Sequence, residues 1–271
     1  MLARRVLLPM LGLALWTPTV AAQTTYARTG RDTLRYREVT TTNAKLTTPQ
    51  GELPITITHD ATIAVLLLPG DSARAWYEAL KLGMSSPEGS NSPETGPVLR
   101  QPFVLGFDPK GNIKVITTPA FPASFQGVSD LTYQFSDFFL RLPTSPLNLG
   151  LAWTDSTTRT TRTDEKSSTV KSVASYRVER DTTVAGQPAF VISMKQQLRS
   201  ENEGPIPGQP ARAHSIMTGT DDGIFVFSKS GEMLGRRRTG TLRGGMTLSA
   251  QGQSMEIPQE YTYTNTVDRI R

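Results

Sequence analysis

The sequence predicts a mainly β protein: one curved antiparallel sheet or half-closed barrel, built from two meander repeats with one or two short helices. Three observations predict it. Thr, Ser, Val and aromatic residues fall in short alternating runs broken by Gly, Pro, Asn and Asp, as in antiparallel strands joined by tight turns. Long runs with the 3.6-residue apolar period of a helix are scarce. The chain also writes nearly the same turn twice, "GFDPKGNIKV" at 106–115 and "VFSKSGEML" at 226–234, each placing a Gly four residues after a Phe.

Residues 1–22 read as a signal peptide, with Arg4 and Arg5, an apolar run from Val6 to Trp16, and Val20 and Ala22 before the cleavage point. That run is about half of the roughly 20 residues a membrane span requires. "IAVLLL", the longest later apolar run, is strand-sized, so no integral membrane span is expected. Residues 23–32 are expected to be a flexible segment and 33–271 a single β domain with repeats at 33–150 and 151–271. The chain has no Cys. Its core is therefore expected to hold without disulfides, which a chain of this length permits, and no thiol follows the signal for acyl anchoring. Periplasmic or secreted localisation follows.

Along the domain, "TLRYREVT", "LPITITH", "ATIAVLLL", "PFVLGF", "NIKVITT", "ASYRVER", "AFVISMKQQL", "GIFVFS" and "EYTYTNTV" read as strands. "DSARAWYEALKL" has helix-favouring composition, yet "PGDS" before it is a turn returning from a strand. Residues 72–82 are thus strand or helix. "SDLTYQFSDFFLRLP" reads as a helix over 129–142, capped by Ser129 or Asp130, with Leu131, Phe135, Phe138, Phe139 and Leu142 on one broad face and Pro143 as its stop.

The twin turns are joined by two further matches in the same order, "RYREV" with "SYRVE" and "GELPITIT" with "GQPAFVIS". Residues 83–98, rich in Ser, Pro, Gly and Glu, read as the loop insertion that lengthens the first copy. Phe103 and Phe107 point one way from the first hairpin, and Phe225 and Phe227 line the corresponding side of the second. With Trp153 near the join, these five residues are the candidate lining of a concave site for an apolar or lipid-like ligand.

The segments "RLPTSPLNLGLAWTD" and "YRVERDTTVAGQPAFVIS" resemble an uncharacterised family of exported bacterial β-sheet proteins, through Leu142, Pro143, Pro146, Gly150, Trp153, Thr154 and Gly186. The overall look is similar to periplasmic carriers that fold as a half-closed barrel around lipid acyl chains. That resemblance implies an exported soluble lipid-binding protein; the alternative is an envelope structural or protein-interaction module with no small-molecule ligand.

Other chemistry finds little support. His59 and His214 are the whole imidazole supply, and a metal site normally needs three or four convergent ligands. His59 and Asp60 are neighbours on a strand and so point to opposite faces. Ser168 with Lys171 gives a Ser-x-x-Lys spacing within a polar run, no Gly-x-Ser-x-Gly occurs, and no Gly-rich phosphate loop is present. Asp221 and Asp222 before Gly223 read as a turn. No enzyme activity, cofactor or metal is expected. Without residues 1–22 the chain has 27 Lys and Arg against 24 acids, a net charge of +3. The one dense basic cluster, "GRRRTG" at 235–240, is expected to be a solvated strand face with Arg236 and Arg238 on one side and Arg237 on the other. No nucleic-acid partner is expected.

Overall fold

The computed structural model describes residues 24–27, 32–122, 125, 131–132, 134–162, 165–206, 211–250 and 253–270. The signal peptide expected over 1–22 lies outside these residues. Twelve strands form one antiparallel sheet: β1 Thr33–Thr48, β2 Gly51–Leu68, β3 Ser72–Ser86, β4 Gly89–Asn91, β5 Phe103–Phe107, β6 Ile113–Thr117, β7 Ala152–Arg162, β8 Ser167–Val184, β9 Gln187–Pro205, β10 Arg212–Ser228, β11 Met233–Ala250 and β12 Gln253–Ile270. Their order is β6-β5-β3-β2-β1-β12-β11-β10-β9-β8-β7, with β4 pairing β3 off this path. The sheet is open, with β6 and β7 as its edges. Both edges nevertheless line one cavity, so the sheet curls back toward itself.

The strands are longer than the sequence predicts because alternation continues beneath polar composition. "LPITITH" and "ATIAVLLL" are one strand, β2, and the Thr-rich 152–162 is β7. Along β12 the inward positions run Val267, Asn265, Tyr263, Tyr261, Gln259 and Ile257, while Asp268, Thr266, Thr264, Thr262 and Glu260 face out. β-branched Thr suits such a half-buried pleat.

Residues 72–82 resolve to strand. A bulge between Thr62 and Ile63 of β2 shifts the register so that Tyr77 and Leu80 of β3 both turn inward and are buried. Burial between β2 and β5 overrides helix propensity here. The 129–142 helix does not form: 126–130 and 133 fall outside the described residues, and 134–138 make turns, with i to i+3 bonds from Gln134 N to Leu131 O (3.2 Å) and Phe138 N to Phe135 O (3.2 Å). Phe138, Phe139 and Leu140 are all buried although consecutive. A helix presents one stripe to a core. A segment lying in a trough is covered from several sides, and this one fills the concave face as a plug. A 3-10 turn, Gly96–Val98, lies inside the stretch expected to be a loop insertion, which also contains the end of β3 and all of β4.

Part of the segment expected to be flexible is fixed instead. Tyr26 is buried, donates its hydroxyl to Leu140 O at 2.9 Å and its N–H to Pro109 O at 2.9 Å, while Ala27 N donates to Gly231 O at 2.8 Å. Residues 24–27 therefore tie the twin turns together. Those turns share one bonding scheme. Asp108 accepts from Gly111 N and donates to Asn112 O, and Ser228 accepts from Gly231 N and donates to Glu232 O. The Asp108 carboxylate and the Ser228 hydroxyl each then accept the backbone N–H of the residue four positions on.

The other proposed repeat matches do not follow the turns. Successive turns of a meander alternate between the two ends of a sheet. Along the sheet path three strands, β2, β3 and β5, separate Gly51 from Gly111, but only two, β9 and β10, separate Gly186 from Gly231. Gly111 and Gly231 thus share one end, whereas Gly51 and Gly186 lie at opposite ends, and a single loop insertion does not reconcile them.

Candidate functional site

The inner face of the sheet is layered along the strands. At the end holding the twin turns lies an aromatic core: Tyr36, Tyr77, Phe103, Leu105 and Phe107 from the first meander, Phe225, Phe227, Ile192 and Val178 from the second, and Phe135, Phe138 and Phe139 from the plug. The rings meet edge to face. Tyr26 lies 5.2 Å from Phe107, 5.5 Å from Phe139 and 5.0 Å from Phe227. Each such pair adds about 0.5–1.5 kcal/mol beyond its buried area.

This places the five sequence-predicted site residues. Phe103, Phe107, Phe225 and Phe227 are buried to 2% exposure or less. Trp153 is half-buried, stacks on Tyr176 at 5.0 Å and donates Nε1–H to Arg141 O at 3.1 Å. They do converge on the concave face. The chain's own plug and Tyr26 occupy the space in front of them, so they form packed core and line none of the described cavities.

Above the core sits a layer of charge that the sequence does not reveal. Arg236 is buried: Nε donates to Asn265 Oδ1 (2.9 Å), Nη1 to the carbonyls of Asp137 (2.5 Å) and Phe138 (2.7 Å), and Nη2 to Glu38 Oε1 (3.1 Å). Glu38, wholly buried, also accepts from Asn265 Nδ2 (2.7 Å) and Gln134 Nε2 (2.6 Å). One strand position further, Arg238 pairs with buried Asp221 through Nε (2.6 Å) and Nη2, and Nη2 also reaches Gln196 Oε1 (2.8 Å). The "GRRRTG" cluster is therefore not a solvated face. Arg236 and Arg238 point inward, and Arg237 points out to Asp268 (3.4 Å). Asp221 is mid-strand rather than in a turn. Burial pulls the Arg236 guanidinium down from its ordinary value, with Glu38 offsetting part of this. Burial is the largest single influence on Arg238 and acts likewise, but Asp221, Tyr263 and Asp137 together outweigh it and hold the group above its ordinary value.

His59 lies on the same inner face, buried, with Nδ1 4.0 Å from Glu38 Oε2 and its ring edge-on to Tyr77 at 6.2 Å. Neither His59 Nε2 nor the Tyr77 hydroxyl has a hydrogen-bond partner among the described residues. Asp60 faces out to Arg37 (3.1 Å), as strand alternation requires. Ser168 bonds Asn202 Oδ1 (2.7 Å) on the inner face, and Lys171, an odd number of residues away on β8, faces out. The two form no dyad. Among the described residues no three His, Asp or Glu group as metal ligands.

Beyond the charged layer, where the plug does not reach, the inner face is apolar on β1, β2 and β11 and more polar on β8 to β10, where Ser168, Ser172, Ser200, Asn202 and Ser215 share it. The register places Leu46 (β1), Leu53, Ile55 and Ile57 (β2), Met84 (β3), Leu198 (β9), Met217 (β10), Leu242, Met246 and Leu248 (β11) and Tyr261 (β12) on this face. Most are half-buried. The opposite face of the same strands carries cross-strand ion pairs, among them Lys45–Glu52 (2.8 Å), Arg212–Glu203 (3.0 Å) and Arg243–Glu260 (2.7 Å). At the boundary is a cleft of about 330 Å3 lined by Thr40, Gln134, Asp137, Arg159, Arg236, Arg238, Tyr263 and Asn265. A second cavity, of about 710 Å3, lies between the sheet's two edges.

No protein-family profile matches the chain, and no curated protein matches it. Among solved structures the chain is similar to OccK8 (OprE) of Pseudomonas aeruginosa, at 7% identity over 92% of this chain and 100% of that one with a TM-score of 0.18. It is also similar to OccK5 (OpdH) of the same organism, at 7% identity over 90% and 100% with a TM-score of 0.21. OmpT of Vibrio cholerae, described as an outer membrane protein, follows at 8% identity over 88% and 99% with a TM-score of 0.16. Likenesses this slight carry no argument about fold or function.

Proposed function

We propose that this protein is a soluble binder of an apolar chain, an exported carrier of a lipid-like molecule held on the inner face beyond the charged layer. One observation carries the reading: over the far half of β1, β2 and β11 the inner face is apolar and half-open, while the outer face is laced with ion pairs. A membrane barrel has the reverse polarity, apolar outside and polar within. Arg37–Asp60, Arg237–Asp268 and Arg243–Glu260 on the outside of neighbouring strands fit a sheet whose convex side meets water. The ligand region differs from the one the sequence suggests, since the aromatic row is filled by the plug. Apolar side chains on a concave wall with a few polar groups at one end are the usual make-up of a small-molecule site.

The test is native mass spectrometry of freshly purified protein together with titration of a fluorescent C18 acyl probe. A lipid-sized adduct lost on organic extraction and saturable probe uptake are the expected results. Leu242→Glu or Ile57→Glu should weaken uptake at least tenfold. Ile224→Glu, on the outer face where Ile224 is 51% exposed, should leave it unchanged. A clean apo mass with no uptake, or equal loss in all three variants, would overturn the reading.

A further inference from the structure

The cleft of about 330 Å3 joins the charged layer to the apolar wall. Its strand positions, Thr40, Arg159, Arg236, Arg238, Tyr263 and Asn265, all have the inward parity, and Gln134 and Asp137 reach it from the plug. Two residues beyond Tyr263 on β12 the wall is apolar, with Ile55, Ala44, Tyr261 and Leu242 in one cross-strand row. A tail laid on that row brings its polar head to the cleft.

Three guanidiniums against one carboxylate in the lining suggest a seat for an anion, but the groups behind the lining remove that excess. Arg236 pairs with Glu38 (3.1 Å), Arg238 with Asp221, and Arg141 with Asp137 (2.5 Å) and Asp155 (2.7 Å), while Arg159 lies 4.0 Å from Asp137. Each of these cations thus has its carboxylate. His59 adds no charge at neutral pH, because burial pulls its imidazole below the ordinary value. An anionic head would have to draw a guanidinium away from a carboxylate and leave that carboxylate uncompensated, which is costly where the pair is buried.

What the cleft leaves open is neutral hydrogen-bonding capacity. Thr40 Oγ1 accepts from Asn265 Nδ2 (2.7 Å), and its own hydroxyl proton has no acceptor among the described residues. Gln134 donates Nε2–H to Glu38 Oε2 (2.6 Å), and its Oε1 remains as an acceptor. The Asp137 side chain is 44% exposed and accepts only. Burial pushes the Tyr263 hydroxyl up to about 12, so it stays protonated. A hydroxyl can give and take hydrogen bonds and matches this mixed set. A carboxylate or phosphate head has no proton to give Gln134 or Asp137 and meets the latter with like charge.

We propose that the cleft selects the head of the bound amphiphile, and that the ligand is an uncharged, hydroxyl-bearing lipid of the monoacylglycerol type rather than a fatty acid or phospholipid. This rests on the carrier reading above and narrows it. The tail lies along β1, β2 and β11, and the head hydroxyls bond Thr40, Tyr263, Gln134 and Asp137.

The experiment is displacement of the fluorescent C18 probe from the whole protein at pH 8 by three competitors with one tail, each below its aggregation limit: 1-monooleoylglycerol, oleate, and methyl oleate, which has the ester but no hydroxyl. 1-Monooleoylglycerol should bind at least tenfold tighter than either of the others. Tyr263→Phe/Thr40→Val should cut its advantage over methyl oleate at least fivefold with methyl oleate unchanged, a split that a merely structural role would not produce. Asp137→Asn removes the carboxylate nearest Arg159 and should tighten oleate at least tenfold, a second test should the double variant fail to fold. Oleate binding as tightly as 1-monooleoylglycerol, no advantage over methyl oleate, or preferences unchanged in both variants would overturn the head assignment and leave the carrier reading standing. Failure of the probe and all three competitors to bind would remove the carrier reading and this assignment with it.

Discussion

Gly111 and Gly231 have φ of 86° and 95°, in the region that side chains adopt at a cost. A Cβ on Gly111 would run into Leu140 O and the Tyr26 ring, and one on Gly231 would lie 2.6 Å from Thr25 O. Gly111→Val should therefore cost about 2–5 kcal/mol from backbone strain and overpacking together. Pro109→Ala keeps the carbonyl that Tyr26 uses and should cost less than about 1 kcal/mol; a denaturant series ranking the two the other way would reject this assignment. The buried pair Glu38–Arg236 makes a second expectation. Arg236→Met leaves a buried carboxylate without its cation and should cost about 3–5 kcal/mol, with Glu38→Gln/Arg236→Met recovering much of it. His59 gives the third. Burial holds its imidazole below the ordinary value, with Glu38 and Asp60 offsetting part of this. Just below an unfolded pKa of about 6.5 the unfolded chain then binds more protons than the folded one, so stability rises with pH in that window and falls on acidification. The urea midpoint should drop from pH 7 to pH 5, and the drop should be smaller in His59→Gln; equal slopes would remove His59 as the cause.

At the scale of elements, the sequence names most strands but truncates them. "EYTYTNTV" is visible as a strand, while Gln253–Pro258 of the same strand is not, because inward Gln259 and outward Pro258 break the apolar alternation that signals β structure. The plug is the instructive miss. Its aromatic spacing mimics a helix face, yet Phe138, Phe139 and Leu140 are buried side by side, which depends on a trough that only the folded sheet provides. Phe139 contacts Tyr26, Tyr36, Phe107 and Phe138. Phe139→Ala should therefore cost about 3–5 kcal/mol. It should also raise amide exchange in β5 and in 134–142 before it does so in β7 and β8; uniform exchange across the sheet would argue against a plug acting as a local unit.

For the whole molecule, the join between the two meanders is β1 against β12, from Arg35 opposite Ile270 to Leu46 opposite Gln259. Those partners are more than 200 residues apart in the chain. Pairing of such high sequence separation is slow to form. The core on either side of the join is shared: Tyr36 donates to Met233 O at 3.1 Å, and Tyr26 packs on Phe107 and Phe227 alike. Residues 24–150 and 151–270 expressed apart should each fail to give a cooperative unfolding transition, and mixing or co-expressing them should restore one. Independent folding of either half would show that the core is not shared.

The β class, the antiparallel meanders, the twin turns and the opposite facing of Arg236 and Arg237 follow from local sequence, because turn chemistry and two-residue alternation act over a few neighbours. Which face of the polar strands lies inside was decided only by tertiary structure. Arg236 reads as solvated until Glu38, 198 residues away, is brought to it, and the Phe row reads as a pocket until the plug is laid across it. Charge pairing across the join, the filling of the concave face and the approach of the two sheet edges all depend on contacts between distant segments, which no local pattern encodes.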